Sequence, residues 1–476
     1  MSKTRHHDVV IVGAGVAGLR CAHQLVHEKG VDDVLVVDAL DRVGGRILPS
    51  TDFIPGMTVE IGAELLHGAN TTLTRLAEEK KWNLREIFTW AQGDGGPTDP
   101  APDGGIGYYY LGDQKRMLAY DSGDLDFCAF NDAVSNLSEI EDVDAIAPTA
   151  SMMDYFKGCN LSESMMKLAD AGYANTAGSS LNDISWRITC RYERQWIELE
   201  DEGDYRVVPT FGRIIDHFKQ GVNVQLSFAV KSIDYSNPEL ITVTSIHGER
   251  ITCRKLVVTV PTSVFLDIEY LPALPEAKRV AVQSFGMRRA AKVLMHFSKS
   301  FWPSNTHGVI CSDCFLPEFW VNSSEGVGHL LDNGDEEYKA KQEAAEKADV
   351  QFLVTGFAGS VCADSLKQLD EQEIITRFLA QLDMIYGTEE NPTPASSSFV
   401  KGKYFDWGDV DFIKGGYSYP RVGQSDHAAK DLADDIDGRV FFAGEATSFE
   451  QPGMSVHSAM DTGTRAADQV ASSLSK

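Results

Sequence analysis

The stretch DVVIVGAGVAGLRCAHQLVHEKG, residues 8–30, decides the fold of this chain. It begins with a short apolar run, continues through a glycine-rich turn, and becomes an amphipathic segment that ends at Gly30. A second apolar run, within VDDVLVVDALDRVGGRI (residues 31–47), ends at Asp38. Two apolar runs separated by one amphipathic helix predict a β-α-β unit, and such units form parallel sheets.

Three glycines in the first turn, Gly13, Gly15 and Gly18, have the spacing GxGxxG. In this motif the first glycine permits the tight turn, the second lets the backbone approach a pyrophosphate, and the third lets helix and strand pack closely. Asp38 follows Gly18 by 20 residues, where an acid accepts hydrogen bonds from a ribose diol. The spacing alone could be a structural glycine cluster, but its place between a strand and a helix predicts a dinucleotide site. Arg42 and Arg46, which follow the acid, are expected to neutralise the pyrophosphate from its other side.

The 476 residues include 43 basic and 70 acidic side chains, which gives a formal net charge of −27. This balance disfavours nucleic-acid binding, because a phosphate backbone requires a basic surface. A small polycation would be attracted, although solubility accounts for the same charge equally well. The length indicates two or three domains.

The remaining composition excludes several classes of site. The eight cysteines form neither a disulfide framework nor the paired spacing of a zinc site, so no metal is expected. The pair Cys311 and Cys314 is interpreted as two incidental thiols, because it lacks the strand-to-helix context of a redox motif. The sequence has no signal-peptide pattern and no apolar run of 18 residues, so we expect a cytoplasmic protein without a membrane span.

The stretch DRVGGR (41–46) and its context resemble the flavin-containing amine oxidases, the family of monoamine oxidases, polyamine oxidases and lysine-specific histone demethylases. Four more stretches are similar to this family: EIGAELLHG (60–68), GDYRVVPTFGRIIDHF (203–218), CRKLVVTVPTSVF (253–265) and FFAGEATSFEQPGMSVHSAMDTGTRAA (441–467). The resemblance implies an α/β fold in which a Rossmann-like FAD-binding domain, built from discontinuous segments, carries an inserted α+β substrate-binding domain. The implied boundaries are 1–85, 206–290 and 425–476 for the FAD-binding domain, and 86–205 and 291–424 for the substrate-binding domain.

The resemblance also implies FAD as the cofactor. Val230 stands where the family's backbone holds the adenine, and Trp407 is expected to shield the flavin. Tyr417, in GGYSYP (415–420), stands where monoamine oxidases carry a cysteine bound to the flavin, so non-covalent binding is expected. The predicted FAD contacts are Gly13, Gly15, Gly18, Asp38, Arg42, Gly45, Arg46, Val230, Trp407, Gly444, Glu445, Ser455 and Val456.

Lys292, in AAKVLMHFSKSFW (290–302), stands where a lysine of the family holds a water against flavin N5. A buried ammonium can relay protons near neutral pH, and it can also activate dioxygen electrostatically. Tyr417 would supply one aromatic wall for the amine, while Ser455 stands at the second position and argues against a monoamine-oxidase cage. His67 is expected to be a polar contact that tunes substrate protonation. The predicted catalytic residues are therefore Lys292, His67 and Tyr417.

The resemblance implies a small cationic amine and dioxygen as reactants, with a polyamine such as spermine or spermidine preferred. Carboxylates along a tunnel would hold the remote ammonium groups while the reacting nitrogen is neutral. The predicted substrate-binding residues are Glu64, His67, Glu202, Tyr417, Tyr419 and Ser455.

Three alternatives stay open. An L-amino-acid or monoamine oxidase of the same fold is the first, and an amino-acid oxidase would need an arginine for the carboxylate. A lysine-specific histone demethylase is the second, although the 476 residues leave no room for a coiled-coil tower. The third is a flavoprotein without amine oxidase activity, which would be expected to lose Lys292 or the aromatic loop.

Overall fold

The predicted β-α-β unit forms the centre of an eight-stranded mixed sheet. The computed structural model describes residues 5–88, 106–119, 122–200, 203–303, 306–324 and 350–475. Its strands are β1 (Arg5–Val12), β2 (Val34–Val37), β3 (Pro49–Ile54), β4 (Met57–Glu60), β5 (Leu66–His67), β6 (Asn83–Phe88), β7 (Ile106–Leu111), β8 (Arg116–Ala119), β9 (Asp204–Val208), β10 (Asn223–Gln225), β11 (Val230–Asn237), β12 (Leu240–Ser245), β13 (Arg250–Val258), β14 (Glu269–Leu271), β15 (Gly286–Met287), β16 (Ala290–Phe297), β17 (Thr306–Ser312), β18 (Glu318–Ser323), β19 (Phe352–Gly359), β20 (Phe399–Asp406), β21 (Ser418–Tyr419) and β22 (Val440–Phe442). Its α-helices are α1 (Val16–His27), α2 (Thr72–Glu79), α3 (Leu125–Glu139), α4 (Met152–Gly158), α5 (Glu163–Ala169), α6 (Trp186–Gln195), α7 (Gly212–Phe218), α8 (Thr262–Phe265), α9 (Glu276–Ser284), α10 (Ser360–Leu366), α11 (Glu371–Tyr386), α12 (Pro394–Ser398), α13 (Ala428–Ala433) and α14 (Val456–Leu474).

The first sheet has the strand order β10-β2-β1-β13-β12-β11-β14, and β22 also pairs with β13. Strands β10, β2, β1, β13 and β22 run parallel to one another. In this parallel part, Val10 of β1 aligns with Leu35 of β2 and with Leu256 of β13. The sheet is therefore assembled from three segments that are distant in the sequence, around residues 5–37, 223–271 and 440–442.

Burial on both faces explains why the second half of β1, residues 9–12, is a continuous apolar run. Val9 and Ile11 belong to the apolar cluster that contains α1 and α14. Val10 and Val12 belong to the cluster on the opposite face, with residues of β11, β12 and α9. Because helices or strands cover each face of this half of the strand, a polar side chain there would have no access to water.

The second sheet has the order β20-β16-β19-β18-β17-β7-β8. Its neighbouring strands are antiparallel except for β7 and β17, which are parallel. Strand β16 is buried at all eight positions. Helices α3 to α6 form an apolar cluster with β7.

The predicted fold class is confirmed: a Rossmann-like α/β unit is combined with an α+β unit. The boundaries between the two units stay a prediction. Within the described ranges, no helix combines the length and the apolar character that crossing a bilayer requires.

Candidate active site

A cavity of about 530 Å³ lies at the carboxyl ends of β1 and β2, where residues of both sheets meet. Gly13, Asp38 and Val230 line it from the first sheet. Lys292 and Tyr417 line it from the side of the second sheet. Ligands of parallel α/β sheets bind at this edge, because the loops that follow the strands diverge there.

The glycine turn between β1 and α1 leaves no space for side chains at two of its three positions. Gly13 has φ of +113°, and a Cβ atom there would lie 2.4 Å from Thr259 Oγ1. A Cβ atom on Gly18 would lie 1.9 Å from the Gly13 carbonyl oxygen, so helix and strand approach closely. Gly15 is the N-cap of α1 and lines the cavity opposite Gly45, whose added Cβ would lie 3.3 Å from the Gly15 Cα. The backbones of Gly15 and Gly45 thus lie next to each other, and side chains at these two positions would fill the space between them.

Asp38 is fixed at the end of β2 by two backbone donors. Its Oδ2 accepts from Ala14 N at 2.6 Å, and its Oδ1 accepts from Leu40 N at 2.8 Å. Burial raises the pKa of this carboxyl, and the two N–H groups partly oppose the shift. The side chain therefore stays on the cavity wall in a defined orientation.

The two arginines of the DRVGGR stretch differ in position. Arg46 lines the cavity and donates from Nη1 to Gly416 O and to Glu445 Oε1, both at 2.9 Å. Arg42 donates from Nη2 to Gly45 O at 2.9 Å and is not part of the cavity wall. Arg42 thus supports the double-glycine turn, and its contact with a pyrophosphate stays a prediction.

The start of α14 also forms part of the cavity wall. Ser455, its N-cap, accepts a hydrogen bond from Ser458 N at 3.1 Å in a capping box. Val456 and Gly444 line the same wall, and Gly444 has φ of +126°. Helices α1 and α14 therefore both present N-terminal N–H groups and positive dipole ends at the cavity.

These residues fit FAD. The acid at the end of β2 suits a ribose diol, and the glycine backbones and helix N-termini suit a pyrophosphate. Val230 and Trp407 line the wall, and the Trp407 Nε1 donates to Ile61 O at 3.2 Å, which fixes its ring. The predicted contacts thus lie around one cavity, except for Arg42 and for Gly18, which acts within the turn.

Lys292 is buried on β16 and points into the cavity wall. Its Nζ donates to Glu60 O at 2.9 Å, to Gly62 O at 2.8 Å and to Glu64 Oε2 at 2.9 Å. The Nζ also lies 5.2 Å from the centre of the Trp320 ring. Glu64, predicted to bind substrate, is instead engaged by Lys292 and by Arg206, whose Nη2 lies 3.1 Å from Glu64 Oε1. Its carboxylate is thus part of the lysine's support and not an open contact for an amine.

His67 ends β5 and pairs with a carboxylate. Its Nδ1 lies 2.5 Å from Asp204 Oδ1, and its ring meets the edge of Trp196 at a centroid distance of 6.2 Å. The imidazole is 42% exposed, so it contacts both solvent and the interior. Of the predicted acidic contacts, Glu202 lies outside the described residues.

The two tyrosines of the GGYSYP loop have different surroundings. Tyr417 lines the cavity beside Phe357, and its hydroxyl donates to Thr176 O. Tyr419 is only 3% exposed and packs in the core, where its hydroxyl accepts from Arg288 Nε at 3.2 Å. Tyr419 was predicted as a substrate contact, but the structure places it away from the cavity wall.

The register of the second sheet adds a residue that the sequence reasoning missed. Lys292 of β16 pairs with Phe357 of β19, and Phe357 pairs with Glu318 of β18. Residues paired across neighbouring strands project from the same face, so Glu318 shares a face with Lys292. Its Oε2 accepts from Asn175 Nδ2 and Thr176 Oγ1, both at 3.2 Å. Burial raises the pKa of Glu318 to about 7. The alternation in LPEFWVN (316–322), with Phe319 and Val321 buried on the other face, is the sequence signal for this position.

Comparisons with known proteins agree with this geometry. The family described as "Flavin containing amine oxidoreductase" matches residues 16–471. Among curated proteins, human lysine-specific histone demethylase 2 is 30% identical over 485 residues, which cover 98% of this chain and 53% of that protein. Polyamine oxidase 2 of Arabidopsis thaliana is 25% identical over 98% of this chain and 88% of that protein. The chain thus spans about half the length of the demethylases it matches.

Two solved structures show the same fold. A putrescine oxidase bound to putrescine has a TM-score of 0.77 at 20% identity, and covers 98% of this chain and 100% of its own. A cyclohexylamine oxidase from Brevibacterium oxydans IH-35A has a TM-score of 0.78 at 19% identity, and covers 99% of this chain and 100% of its own. With the family match over nearly the whole length, these findings establish that the chain belongs to the flavin-containing amine oxidoreductases, whose cofactor is FAD and is typically bound non-covalently.

Proposed function

We propose that this chain oxidises a carbon–nitrogen bond of a polyamine of the spermine or spermidine class, with dioxygen as the electron acceptor. The observation that carries the polyamine assignment is the position of Glu318. Neighbouring strands lie about 4.8 Å apart, so Glu318 lies about 10 Å from Lys292 along their shared row. A carboxylate at this distance would hold a second ammonium of the substrate while the first nitrogen reacts.

Aromatic side chains near Lys292 suit an amine. Trp320, Phe357 and Tyr417 form one apolar group with Ala290. Such rings attract a cation and also bury the alkyl carbon beside the nitrogen. This wall would orient the reacting carbon toward the flavin, and the open Glu318 Oε1, which accepts no bond from the described residues, would receive the remote ammonium.

When bound, FAD would supply the two-electron chemistry: it would take a hydride from the carbon next to the nitrogen, leaving an imine that water hydrolyses, and dioxygen would take up the two electrons to give hydrogen peroxide. Asp38, Arg46 and the two helix N-termini would hold the cofactor. Tyr417 carries no thiol, which supports non-covalent attachment at this loop. Lys292 would present a fixed positive charge at the cavity wall, and His67, held by Asp204, would tune substrate protonation.

A second candidate is oxidation of an N-methylated lysine side chain in a peptide. The 30% identity to human lysine-specific histone demethylase 2 favours it, and the site residues proposed above would serve either substrate. The two candidates differ in what surrounds the reacting nitrogen, since a peptide brings backbone and neighbouring side chains while a polyamine brings only further ammonium groups.

The test is the visible absorption spectrum of the purified holoenzyme before and after anaerobic addition of an amine. We expect spermine or spermidine to bleach the oxidised flavin, and we expect methylated lysine peptides, L-amino acids and monoamines to do so at least tenfold more slowly. Bleaching by the peptide alone would favour the demethylase candidate. A spectrum that no amine alters would contradict an oxidase function altogether.

A variant pair tests the assignment of Glu318. Glu318→Gln should raise the concentration of spermidine needed for half-maximal bleaching at least tenfold, because the amide cannot neutralise the remote ammonium. Glu239→Gln, which removes a carboxylate from the exposed turn between β11 and β12, is the matched control. Equal behaviour of the two variants would remove the support for a polyamine.

A further inference from the structure

The support of Lys292 is a buried cluster of three charges. Side-chain exposure is 7% for Lys292, 6% for Glu64 and 8% for Arg206. The two oxygens of Glu64 are divided between the cations, with Oε2 at 2.9 Å from Lys292 Nζ and Oε1 at 3.1 Å from Arg206 Nη2. One buried anion therefore serves two buried cations, which leaves one net positive charge beside the cavity.

The two cations of the cluster differ in how many of their N–H groups find acceptors. All three N–H bonds of an ammonium at Lys292 are used, by Glu60 O, Gly62 O and Glu64 Oε2. Arg206 Nε, Nη1 and Nη2 are buried and find no hydrogen-bond acceptor of good geometry among the described residues, although Nη2 forms the ion pair with Glu64. Burial alone favours the neutral acid, but the charges of Lys292 and Arg206 hold the pKa of Glu64 below its usual value. An ionised Glu64 is thus what makes the buried cations tolerable.

We propose that Glu64 is a positioning residue for Lys292: it keeps the lysine protonated and fixed at the cavity wall, and Arg206 limits this effect by sharing the same carboxylate. This assignment rests on the proposed role of Lys292 at the flavin. It predicts that substitutions of Glu64 and of Arg206 shift the pH profile in opposite directions. Loss of the anion makes the ammonium harder to maintain, whereas loss of the second cation makes it easier.

Other titratable groups face the cluster, and their effects on a pH profile must be distinguished from those of the cluster. Glu60 supplies the carbonyl that accepts from Lys292, and burial raises the pKa of its own carboxyl to about 7. His307 lies near Arg206, and burial lowers the pKa of this imidazole to about 3. Both groups therefore change charge on the acid side or near neutrality. Arg85 of β6, which pairs with Arg206 of β9, is a guanidinium that stays charged, so differences between variants in the alkaline limb of a pH profile are not caused by these three groups.

The experiment measures reoxidation by dioxygen of photoreduced holoenzyme as a function of pH, which requires no amine. In Glu64→Gln the alkaline limb should move to lower pH by at least one unit, a tenfold change in proton affinity. In Arg206→Met it should move to higher pH, and in the exposed-carboxylate control Glu239→Gln it should not move. A second readout is the absorption maximum of the oxidised flavin, whose pH-dependent shift should have the same midpoints.

The outcomes separate this inference from the function proposed above. Coincident profiles for all variants, or shifts of both cluster variants in the same direction, would overturn it even if the enzyme oxidises polyamines. Opposite shifts would support it even if no polyamine bleaches the flavin. If Glu64→Gln does not fold, Glu64→Asp is measured instead. Its shorter side chain cannot bridge both cations, so we expect a smaller shift of the same sign.

Discussion

Two carboxyl groups in the neighbourhood of Lys292, those of Glu60 and Glu318, have pKa values raised to about 7 by burial. Each is stabilised by few donors: Glu60 Oε1 accepts from Thr210 Oγ1 and Phe211 N, while its Oε2 has no partner among the described residues. A fold gains nothing from carboxyls in such places, since an amide or apolar residue would be tolerated better. The presence of Glu318 on the face that carries Lys292 is therefore more easily explained by ligand binding than by stability.

Glu318 makes the stability of the protein depend on pH in a defined direction. Its pKa is about 7 in the folded chain against 4.5 for the ordinary side chain, so between these values the folded state binds more protons. Stability from this group is present below pH 4.5 and is lost as the pH rises through about 7. Glu318→Gln should therefore raise the free energy of unfolding by about 1–3 kcal/mol at pH 8 and have little effect at pH 4.5, measured by urea unfolding.

The control for this pH dependence is Glu239→Gln, which should leave the free energy of unfolding unchanged at both pH 8 and pH 4.5. Several groups lie close enough to Glu318 to interact with it: His67, Asp204, Tyr109, Tyr417 and Cys311. Histidine is the residue type among them that titrates between pH 5 and 8, so the measurement is repeated in a His67→Asn background. An equal gain in stability at both pH values would show that packing, and not charge, is responsible.

The second prediction at the scale of residues concerns the close packing at Gly18. Gly18→Ala would place Cβ 1.9 Å from the Gly13 carbonyl oxygen, so the turn or α1 must shift. We expect at least a tenfold loss of FAD affinity, measured by flavin fluorescence on release from the protein. Gly158→Ala, where no atom lies within 4 Å of an added Cβ, is the matched control and should keep wild-type affinity. Normal FAD binding by Gly18→Ala would show that the close packing of this turn does not shape the site.

At the scale of elements, the sequence predicted individual strands and helices better than it predicted which strands pair and in which register. The apolar run at β1, the glycine turn and the acid of β2 follow from local pattern alone, and they lie where the pattern placed them. Glu318 could not be found this way, because its proximity to Lys292 depends on β18, β19 and β16 pairing in a register that no local pattern specifies. For the same reason, Glu64 was predicted as an open substrate contact, whereas the fold places β9 and its Arg206 beside it.

Helix α14 gives a prediction about an element as a whole. Ser455 caps its N-terminus at the cavity wall, so Ser455→Ala removes a capping bond from a helix end that faces the cavity. We expect a loss of about 1 kcal/mol in stability together with weaker FAD binding. Ser151→Ala removes a similar capping box from α4 and should cost about the same stability without altering FAD affinity. Thermal unfolding with and without added FAD measures both, and identical FAD dependence in the two variants would contradict the role of α14.

At the scale of the whole molecule, the cavity exists only because distant segments meet. The first sheet requires β1, β13 and β22, whose residues are separated by more than 180 positions at each step, and the second sheet then supplies Lys292. The sequence predicted this discontinuous construction, since the opening glycine motif and the closing FFAGEAT segment belong to one fold. Side-chain orientation within the construction, as at Arg42 and Tyr419, depends on contacts that form only after the segments assemble.

The net charge of −27 belongs to the whole molecule and leads to the last prediction. A strongly negative protein attracts a polycation over distances set by the Debye length, about 10 Å at 0.1 M salt and about 3 Å at 1 M. If the field steers substrate, the association rate of spermine should fall at least tenfold between these concentrations, and that of a monocationic amine should fall much less. Anaerobic stopped-flow measurement of flavin bleaching gives both rates, with a neutral viscosity agent as the control. Parallel salt dependence for the two amines would mean that the acidic surface serves solubility, and that Glu318 and the aromatic wall alone select the substrate.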